Sequence, residues 1–432
     1  MRALYNGLFP IVFTMSSPYY FARMLRRGNW RAGFGQRFGK YGDALRQSIC
    51  GHEVIWLHAV SVGEMNVCVE LVRALEACKP DSRFVVSTTT TTGRNELQKK
   101  LPPRIAKVYY PIDHRTFVFR ALEAIRPKAI VLMEAEVWPN FIWQASDRGI
   151  PLFLANARLS DRSYPRYRKC GFLFQQLFGA FDAIGAQTEE YASKFREPGC
   201  PSRNVHVLGN MKFDAAKLDA AGVLDVPRLL AQIGITDKAS LLVAGSTHHG
   251  EEEILAQQYL RLRERFPHLF LVLVPRHVER ASEIAKTLNR CGLRFVRRTD
   301  ISPDVHYRTE AVNCLLVNTT GELMSFYRHA TVVFVGKSLT AKGGQNPIEP
   351  AALGRATVFG PNMQNFRDVA RIFVSQGGAL QVRSASELER VLAELLANPG
   401  RCAELGRIAQ RIVRENQGAV ARTARMIIAV MG

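Results

Sequence analysis

The stretch WLHAVSVGEMNVCVELV, Trp56 to Val72, decides how the first half of the chain folds. It begins like a buried strand, breaks at Ser61, Val62 and Gly63, and continues with apolar residues at helical spacing. Strand, turn and helix in that order make the opening of a βα unit. Ser61-x-x-Glu64 before an apolar run is also a capping box, in which the serine satisfies one free amide of the helix start and the glutamate another. Glu64 can therefore be read as a helix cap or as a catalyst, and the rest of the chain has to decide between them.

Outward from this unit the alternation repeats. Strand candidates are Val54 to Ala59, Arg83 to Thr88, Val108 to Pro111, Ala129 to Met133, Pro151 to Ala155 and Val205 to Leu208, with helical patterns such as Glu64 to Cys78 and Thr116 to Ile125 between them. A break follows GNMKFD, Gly209 to Asp214, where Ala216 to Thr236 reads as a connecting segment containing Pro227. The pattern then restarts with Leu241 to Ala244, Phe270 to Val274, Arg294 to Val296, Cys314 to Val317, Val332 to Val335 and Thr357 to Phe359. Two doubly wound halves predict an α/β protein of two Rossmann-like domains facing across a cleft, with ligands beyond the carboxyl ends of the strands. The expected organisation is a membrane-associated segment over 1–27, a domain over 28–215, a linker over 216–238, a second domain over 239–404 and a C-terminal helix over 405–432.

Composition agrees with a folded globular chain, since 47% of the 432 residues are apolar and 22% charged. The formal charge of +20 calls for an anionic partner: a phosphate-bearing substrate, acidic lipid or nucleic acid. The 8 cysteines are widely spaced, without a C-x-x-C pair, which argues for a reducing compartment and against structural zinc. Ala3 to Ala22 carries no charge and has the length to cross a bilayer core. Asn6, Pro10, Thr14, Ser16, Ser17 and Pro18 moderate its apolarity, so a span, an interfacial segment and a packed helical hairpin all remain open. No small-residue cleavage site marks it as a removable signal. Arg23, Arg26, Arg27, Arg31, Arg37 and Lys40 follow, interleaved with Trp30, Phe34, Phe38 and Tyr41, which by the positive-inside rule keeps the remainder in the cytoplasm against anionic lipid.

The polar motifs fall where strands end. LLVAGSTHHGEEEIL, Leu241 to Leu255, is a strand, a Gly-Ser-Thr turn and a helix start whose amides and hydroxyls could hold an anion. Glu251, Glu252 and Glu253 suit the helix dipole and oppose a nearby phosphate, so simple capping is the competing reading. Arg276 and His277 follow a buried strand, where the arginine can fork onto a phosphate or make a structural ion pair. GGQNPIEPAALG, Gly343 to Gly354, is the most specific signal: paired glycines permit close backbone approach, and Pro347 and Pro350 fix Glu349, which can accept both hydroxyls of a ribose. TTGELM, Thr319 to Met324, offers another strand-to-helix turn. In the first half, STTTTTGRNEL, LMEAEVWPN and NARLSDRSYPRYRK end strands with polar groups; the last brings Arg158, Arg162, Arg166, Arg168 and Lys169 together with Tyr164 and Tyr167. Phosphorylated glycolipid or a bilayer surface asks for the same charges as nucleic acid, and no nucleic-acid-binding motif accompanies them.

With these motifs in order, residues 28 to 425 resemble the 3-deoxy-D-manno-octulosonic acid (Kdo) transferases of lipopolysaccharide synthesis, through HAVSVGE, EAEVWPN, ANARLS, GNMKFD, AGSTHHGEEE, VPRH, GELM and GGQNPIEPAALG. The resemblance implies a GT-B fold, a membrane-associated N-terminus and an inner-membrane enzyme with its catalytic domains on the cytoplasmic face. It implies transfer of Kdo from CMP-Kdo to a lipid A precursor with anionic inner-membrane lipid nearby, no nucleic acid, no cofactor and no metal. By the same resemblance Glu64 is the general base and Glu136 a second functional acid, while Pro275, Arg276, Gly321, Leu323, Met324, Asn346 and Glu349 contact CMP. Ser61, Gly63, Thr92, Arg158, Lys212, Ser246 and Thr247 are further site candidates. Two positions depart from the family: Gln345 stands where histidine is common, and Ala135 stands between the two acids where threonine is usual. If Glu64 is the base, its side chain should point into the cleft and leave Ser61 to cap alone, with the positive helix end tending to lower its pKa. Other GT-B glycosyltransferases, a sugar-nucleotide epimerase, and a basic membrane or nucleic-acid binding protein are the competing functions.

Overall fold

The computed structural model describes residues 2–26, 31–159, 164, 171–197, 199–215, 224–301 and 312–432. The chain divides into two compact units, Met1–Ala215 with Asn416–Gly432, and Ala216–Glu415.

The first unit is built on a 7-stranded sheet. Its strands are β1 Val54–His58, β2 Arg83–Thr88, β3 Ala106–Tyr109, β4 Ala129–Met133, β5 Leu152–Ala157, β6 Ala183–Ala186 and β7 Val205–Val207, in the order β3-β2-β1-β4-β5-β6-β7. Every pairing is parallel, so crossover helices cover both faces and the central strands are buried throughout. Alternation along β1 divides the core: Trp56 packs into the cluster with Tyr110 and Phe141, while Ile55 and Leu57 pack with Met65 and Leu71 of the helix Val62–Cys78.

The second unit repeats the design with β8 Ser240–Thr247, β9 Leu269–Pro275, β10 Phe295–Arg297, β11 Cys314–Leu316, β12 Val332–Val335, β13 Ala356–Phe359 and β14 Leu380–Gln381. This 7-stranded sheet is also parallel, in the order β10-β11-β9-β8-β12-β13-β14. β6 and β14 are absent from the strand candidates read above. The first is the short, small-residue run AIGA, and the second is two residues long, so neither carries a β-branched pattern.

Where the sequence pattern gives one helix over 405–432, the structure has the helix Pro399–Asn416 and then, after Gly418 at φ 89°, the helix Ala419–Met431. The second returns to the first unit, burying Ala419, Val420, Ala424 and Ile427 in the cluster that also holds Met65 and Leu71. Asp214, the end of GNMKFD, fixes its start by accepting the Gly418 and Val420 amides at 2.5 and 2.9 Å.

Residues Arg2–Arg26 form one continuous helix containing Pro10 and Pro18, so the hairpin arrangement is not adopted. Among the described residues no helix is long and apolar enough to cross a membrane. The helix is pinned at its start: Arg2 forks onto Asp147 at 2.6 and 2.9 Å, and Tyr5 donates to Asp113 at 2.8 Å while its ring meets Trp143 edge-on. Asp113 is buried and also accepts the Asn140 and Phe141 amides, capping the helix Pro139–Asp147; burial pushes its carboxyl up to about 7 against these hydrogen bonds. Leu4, Leu8, Ile11, Val12, Met15 and Tyr19, at spacings of three and four, remain exposed along one stripe.

Candidate functional site

In the first sheet the strand order reverses between β1 and β4, which places a ligand crevice at their carboxyl ends. The loops that emerge there are Ala59–Ser61, leading into the Glu64 helix, and Glu134–Trp138. Three acidic side chains thus meet at one switch point: Glu64, Glu134 and Glu136.

The Ser61 hydroxyl accepts the Glu64 amide at 3.2 Å, as the capping box requires. Glu64 Oε2 in turn accepts the Val60 amide at 2.9 Å. The expectation that Ser61 caps alone is corrected: the turn carries the Val60 N–H, rather than that of Ser61, to the carboxylate, and one oxygen is tied. The other, Oε1, is not the atom that the Val60 amide holds, so capping and proton acceptance can divide between two atoms of one side chain. The expected depression of its pKa is also reversed. Burial, then the charge of Glu134 and more weakly that of Glu136, pushes Glu64 up to about 7, against the hydrogen bonds from Val60 and Ser61. Glu64 is only 9% exposed, and dehydration outweighs the helix end.

Glu134 is the acid that sequence reasoning missed. It is 4% exposed, held at φ 55°, and clamped by Arg158 Nε at 2.6 Å and Lys212 Nζ at 3.3 Å. Lys212 is delivered by the turn Met211–Phe213, whose first amide donates to Asn156 Oδ1 at 3.0 Å; Asn156 itself has φ 53°. EAEVWPN, ANARLS and GNMKFD therefore converge on one buried ion cluster. Glu136 instead accepts the Trp138 indole N–H at 2.7 Å, and its Oε2 lies 3.7 Å from His58 Nε2. His58, also missed, is fully buried at the end of β1, bonded through Nδ1 to Ser87 and stacked on Tyr110 at 3.7 Å. A histidine closing an otherwise apolar strand was its one available signal.

Gly63 leaves open space above the helix start, since an added Cβ would meet nothing nearer than Ser61 Oγ at 3.9 Å. Thr92 is exposed on the helix Thr91–Lys100 and makes no hydrogen bond among the described residues; Thr90 provides the cap there. Arg162, Arg166, Tyr167, Arg168 and Lys169, with Arg27, Trp30 and the side chains of Arg23 and Arg26, lie outside the described residues.

In the second sheet the order reverses between β8 and β12. The Gly-Ser-Thr turn closes β8 with Ser246 at φ 54°, and Thr247 is buried with its hydroxyl on Glu252 at 3.0 Å. Thr247 is thus an internal strut. Arg280 forks onto the same Glu252, while Arg276 is exposed with no ion-pair partner among the described residues, so the structural-pair reading of Arg276 is not realised. Glu251 resolves the question of the three acids. Its buried carboxylate accepts four amides, from His248, Lys337, Ser338 and Leu339, at 2.7–2.9 Å, and so fills the nest that a free anion would otherwise use. His248 meets His277 edge-on and approaches Gln345 Nε2 at 3.4 Å; burial first, then Lys337 and neighbouring cations, pushes it down to about 4.

Asn346 organises the NPIEP turn, accepting the Ile348 amide and donating to Glu349 Oε1, both at 3.1 Å. The helix Leu323–His329, which begins with Leu323 and Met324, packs beside the Glu349 helix Ile348–Ala352, and Gly321 at φ 88° has open space around it. Pro275 ends β9. A further constraint lies beneath: a Cβ on Gly245 would come within 2.0 Å of the Tyr327 hydroxyl, and Tyr327 is fully enclosed. Gly245→Ala is expected to cost about 1–3 kcal/mol by overpacking, read as a lower Tm by calorimetry.

A family profile described as 3-Deoxy-D-manno-octulosonic-acid transferase (kdotransferase) matches residues 32–215. The 3-deoxy-D-manno-octulosonic acid transferase of Haemophilus influenzae is 33% identical over 395 residues, covering 91% of this chain and 90% of that protein. Its namesake from Bordetella pertussis is 31% identical over 434 residues, 97% of each. Among solved structures, UDP-GlcNAc 2-epimerase from Neisseria meningitidis bound to UDP-GlcNAc superposes with a TM-score of 0.59 over 88% of this chain and 99% of that one; at 16% identity the likeness concerns the fold. Two parallel doubly wound units with polar switch points give the chain a GT-B-like architecture, and the relatives make it that of a glycosyltransferase. The chain belongs to the 3-deoxy-D-manno-octulosonic acid (Kdo) transferase family.

Proposed function

We propose that the enzyme moves Kdo from CMP-Kdo to a lipid A precursor, with inversion, at the cytoplasmic face of the inner membrane. The observation that carries this reading is Glu64: a switch-point carboxylate held through one oxygen by the Val60 amide and pushed up to about 7, suited to general-base work near neutrality. It takes the proton of an acceptor hydroxyl as that oxygen attacks the anomeric carbon, and CMP departs from the opposite face. Glu349 receives the ribose hydroxyls, Leu323 and Met324 line the nucleoside, and Arg276 meets the phosphate and stabilises the charge that grows as CMP leaves. Glu136, braced by Trp138 and His58, is the second acid on the acceptor side.

The exposed apolar stripe of the N-terminal helix supports interfacial attachment, since a surface of that kind is stable only when covered. Vesicles containing anionic lipid should carry the protein upward on flotation; Leu8→Glu with Met15→Glu should leave it at the bottom.

Incubation with freshly generated CMP-Kdo and a tetraacylated lipid A precursor tests the reaction. Release of CMP with a Kdo-bearing lipid is expected, and absence of both would refute the reading. Within that assay Glu349→Gln should raise the donor KM by about 10–100-fold, the worth of charge-assisted hydrogen bonds to a diol, with kcat changed far less.

A further inference from the structure

Lys337 follows β12 in a left-handed conformation, φ 55°, which a side chain other than glycine adopts at a cost. Glu251 enforces it: the Lys337 amide donates to Glu251 Oε2 at 2.7 Å, and the two next amides donate to Oε1 at 2.9 Å each. The lysine is held from the other side as well. Its carbonyl accepts the Gly344 amide at 2.9 Å, and its terminal atoms lie so close to Gly343 that an added Cβ there would stand 3.2 Å from Cε and 3.5 Å from Nζ. The ammonium is therefore laid along the GGQNP turn, at the reversal point of the sheet.

No carboxylate lies within ion-pair distance of Lys337 or Arg276 among the described residues, Arg280 is already committed to Glu252, and Gln345 beside His248 carries no charge. A half-buried ammonium kept without a counter-ion, in a strained backbone fixed by a fully buried acid, is a site prepared for an anion.

We propose that Lys337 is a donor-binding residue whose ammonium meets the phosphate of the nucleotide, with Glu251 as the positioning residue that holds it in place. This rests on the CMP-Kdo reading above. It adds a second cation to Arg276 at a position that no motif in the sequence marked.

Lys337→Gly is the decisive variant, because glycine accepts the left-handed conformation and relieves strain while removing the charge. Binding of CMP and of cytidine is measured by calorimetry, with Tm recorded in parallel. The expected result is a Tm equal to or above that of the parent chain, CMP binding weaker by about tenfold, as for loss of one charge-assisted contact, and cytidine binding unchanged. Lys337→Arg, which keeps the charge, should retain most of the CMP affinity. Equal CMP affinity in the parent and Lys337→Gly would overturn the assignment, as would an equal loss for cytidine, which has no phosphate. Failure of the parent chain to bind CMP at all would instead refute the donor reading on which the assignment rests.

Discussion

Glu64→Gln is expected to lower Kdo transfer by about 10³-fold, within the range ascribed to a positioned general base, while the protein becomes more stable above neutral pH. The amide keeps the shape of the side chain and its oxygen can still accept the Val60 N–H at the 2.9 Å contact, so the helix start survives. What disappears is a carboxylate able to take a proton. The stability gain follows from the direction of the pKa shift. The folded protein binds the Glu64 proton more tightly than the unfolded chain, since the group moves from 4.5 up to about 7 on burial beside Glu134. Its contribution is favourable below the unfolded value and is lost as pH rises through the folded one. At pH 8 the ionised group costs on the order of 2–3 kcal/mol, which the glutamine removes. Chemical denaturation of both proteins at pH 5 and pH 8 should show the gap opening only at the higher pH. The acid limb of kcat/KM in the parent enzyme should have its midpoint near pH 7. A midpoint near 4 would mean that a different carboxylate is the base.

Arg158→Met is expected to destabilise the first unit by about 2–4 kcal/mol, the penalty of leaving a buried acid with half its neutralisation. Glu134 is 4% exposed and takes its shortest contact, 2.6 Å, from Arg158; Lys212 at 3.3 Å would be left to balance it. Adding Glu134→Gln to Arg158→Met should recover most of the loss, because a neutral side chain no longer needs the missing cation. Urea midpoints of the two single variants and the double variant settle this. Additive losses would mean that Arg158 acts through packing rather than charge.

The sequence read the architecture well where physics is local. Parallel strands buried on both faces announce themselves as apolar runs, and the capping box at Ser61 and the Pro-Ile-Glu-Pro turn at Glu349 are short-range devices visible in a few consecutive residues. β6 and β14 escaped because AIGA and a two-residue pairing have no pattern of their own and exist by hydrogen bonding to strands already in place.

The site was legible in its motifs and not in its pairings. Arg158 and Lys212 were recognisable as polar residues at strand ends, yet their common partner was hidden in EAE, where Glu134 and Glu136 look equivalent. A left-handed residue after β4 turns the first toward Arg158 and Lys212, while Glu136 faces Trp138 and His58. The sign of the Glu64 shift failed for a related reason. A helix terminus is visible in the sequence, whereas the density of apolar neighbours and a second acid brought by β4 appear only on folding. Glu251 seemed an obstacle to anion binding, and its actual role depends on amides 86 to 88 positions away in the chain.

The helix Ala419–Met431 has a consequence for the order of events during synthesis. It lies against the helix that carries Glu64, and Ala419, Val420, Ala424 and Ile427 complete that side of the core. All of Ala216–Glu415 is translated before this piece appears. At about 5–20 residues per second, the ribosome takes on the order of 10–40 s to pass through the intervening 200 positions. For that interval the nascent first unit has an uncovered apolar flank beside the helix that carries Glu64. Completion of the first unit is thereby postponed until the second unit has been made, and a ribosome that stalls partway releases a chain whose first unit is unfinished.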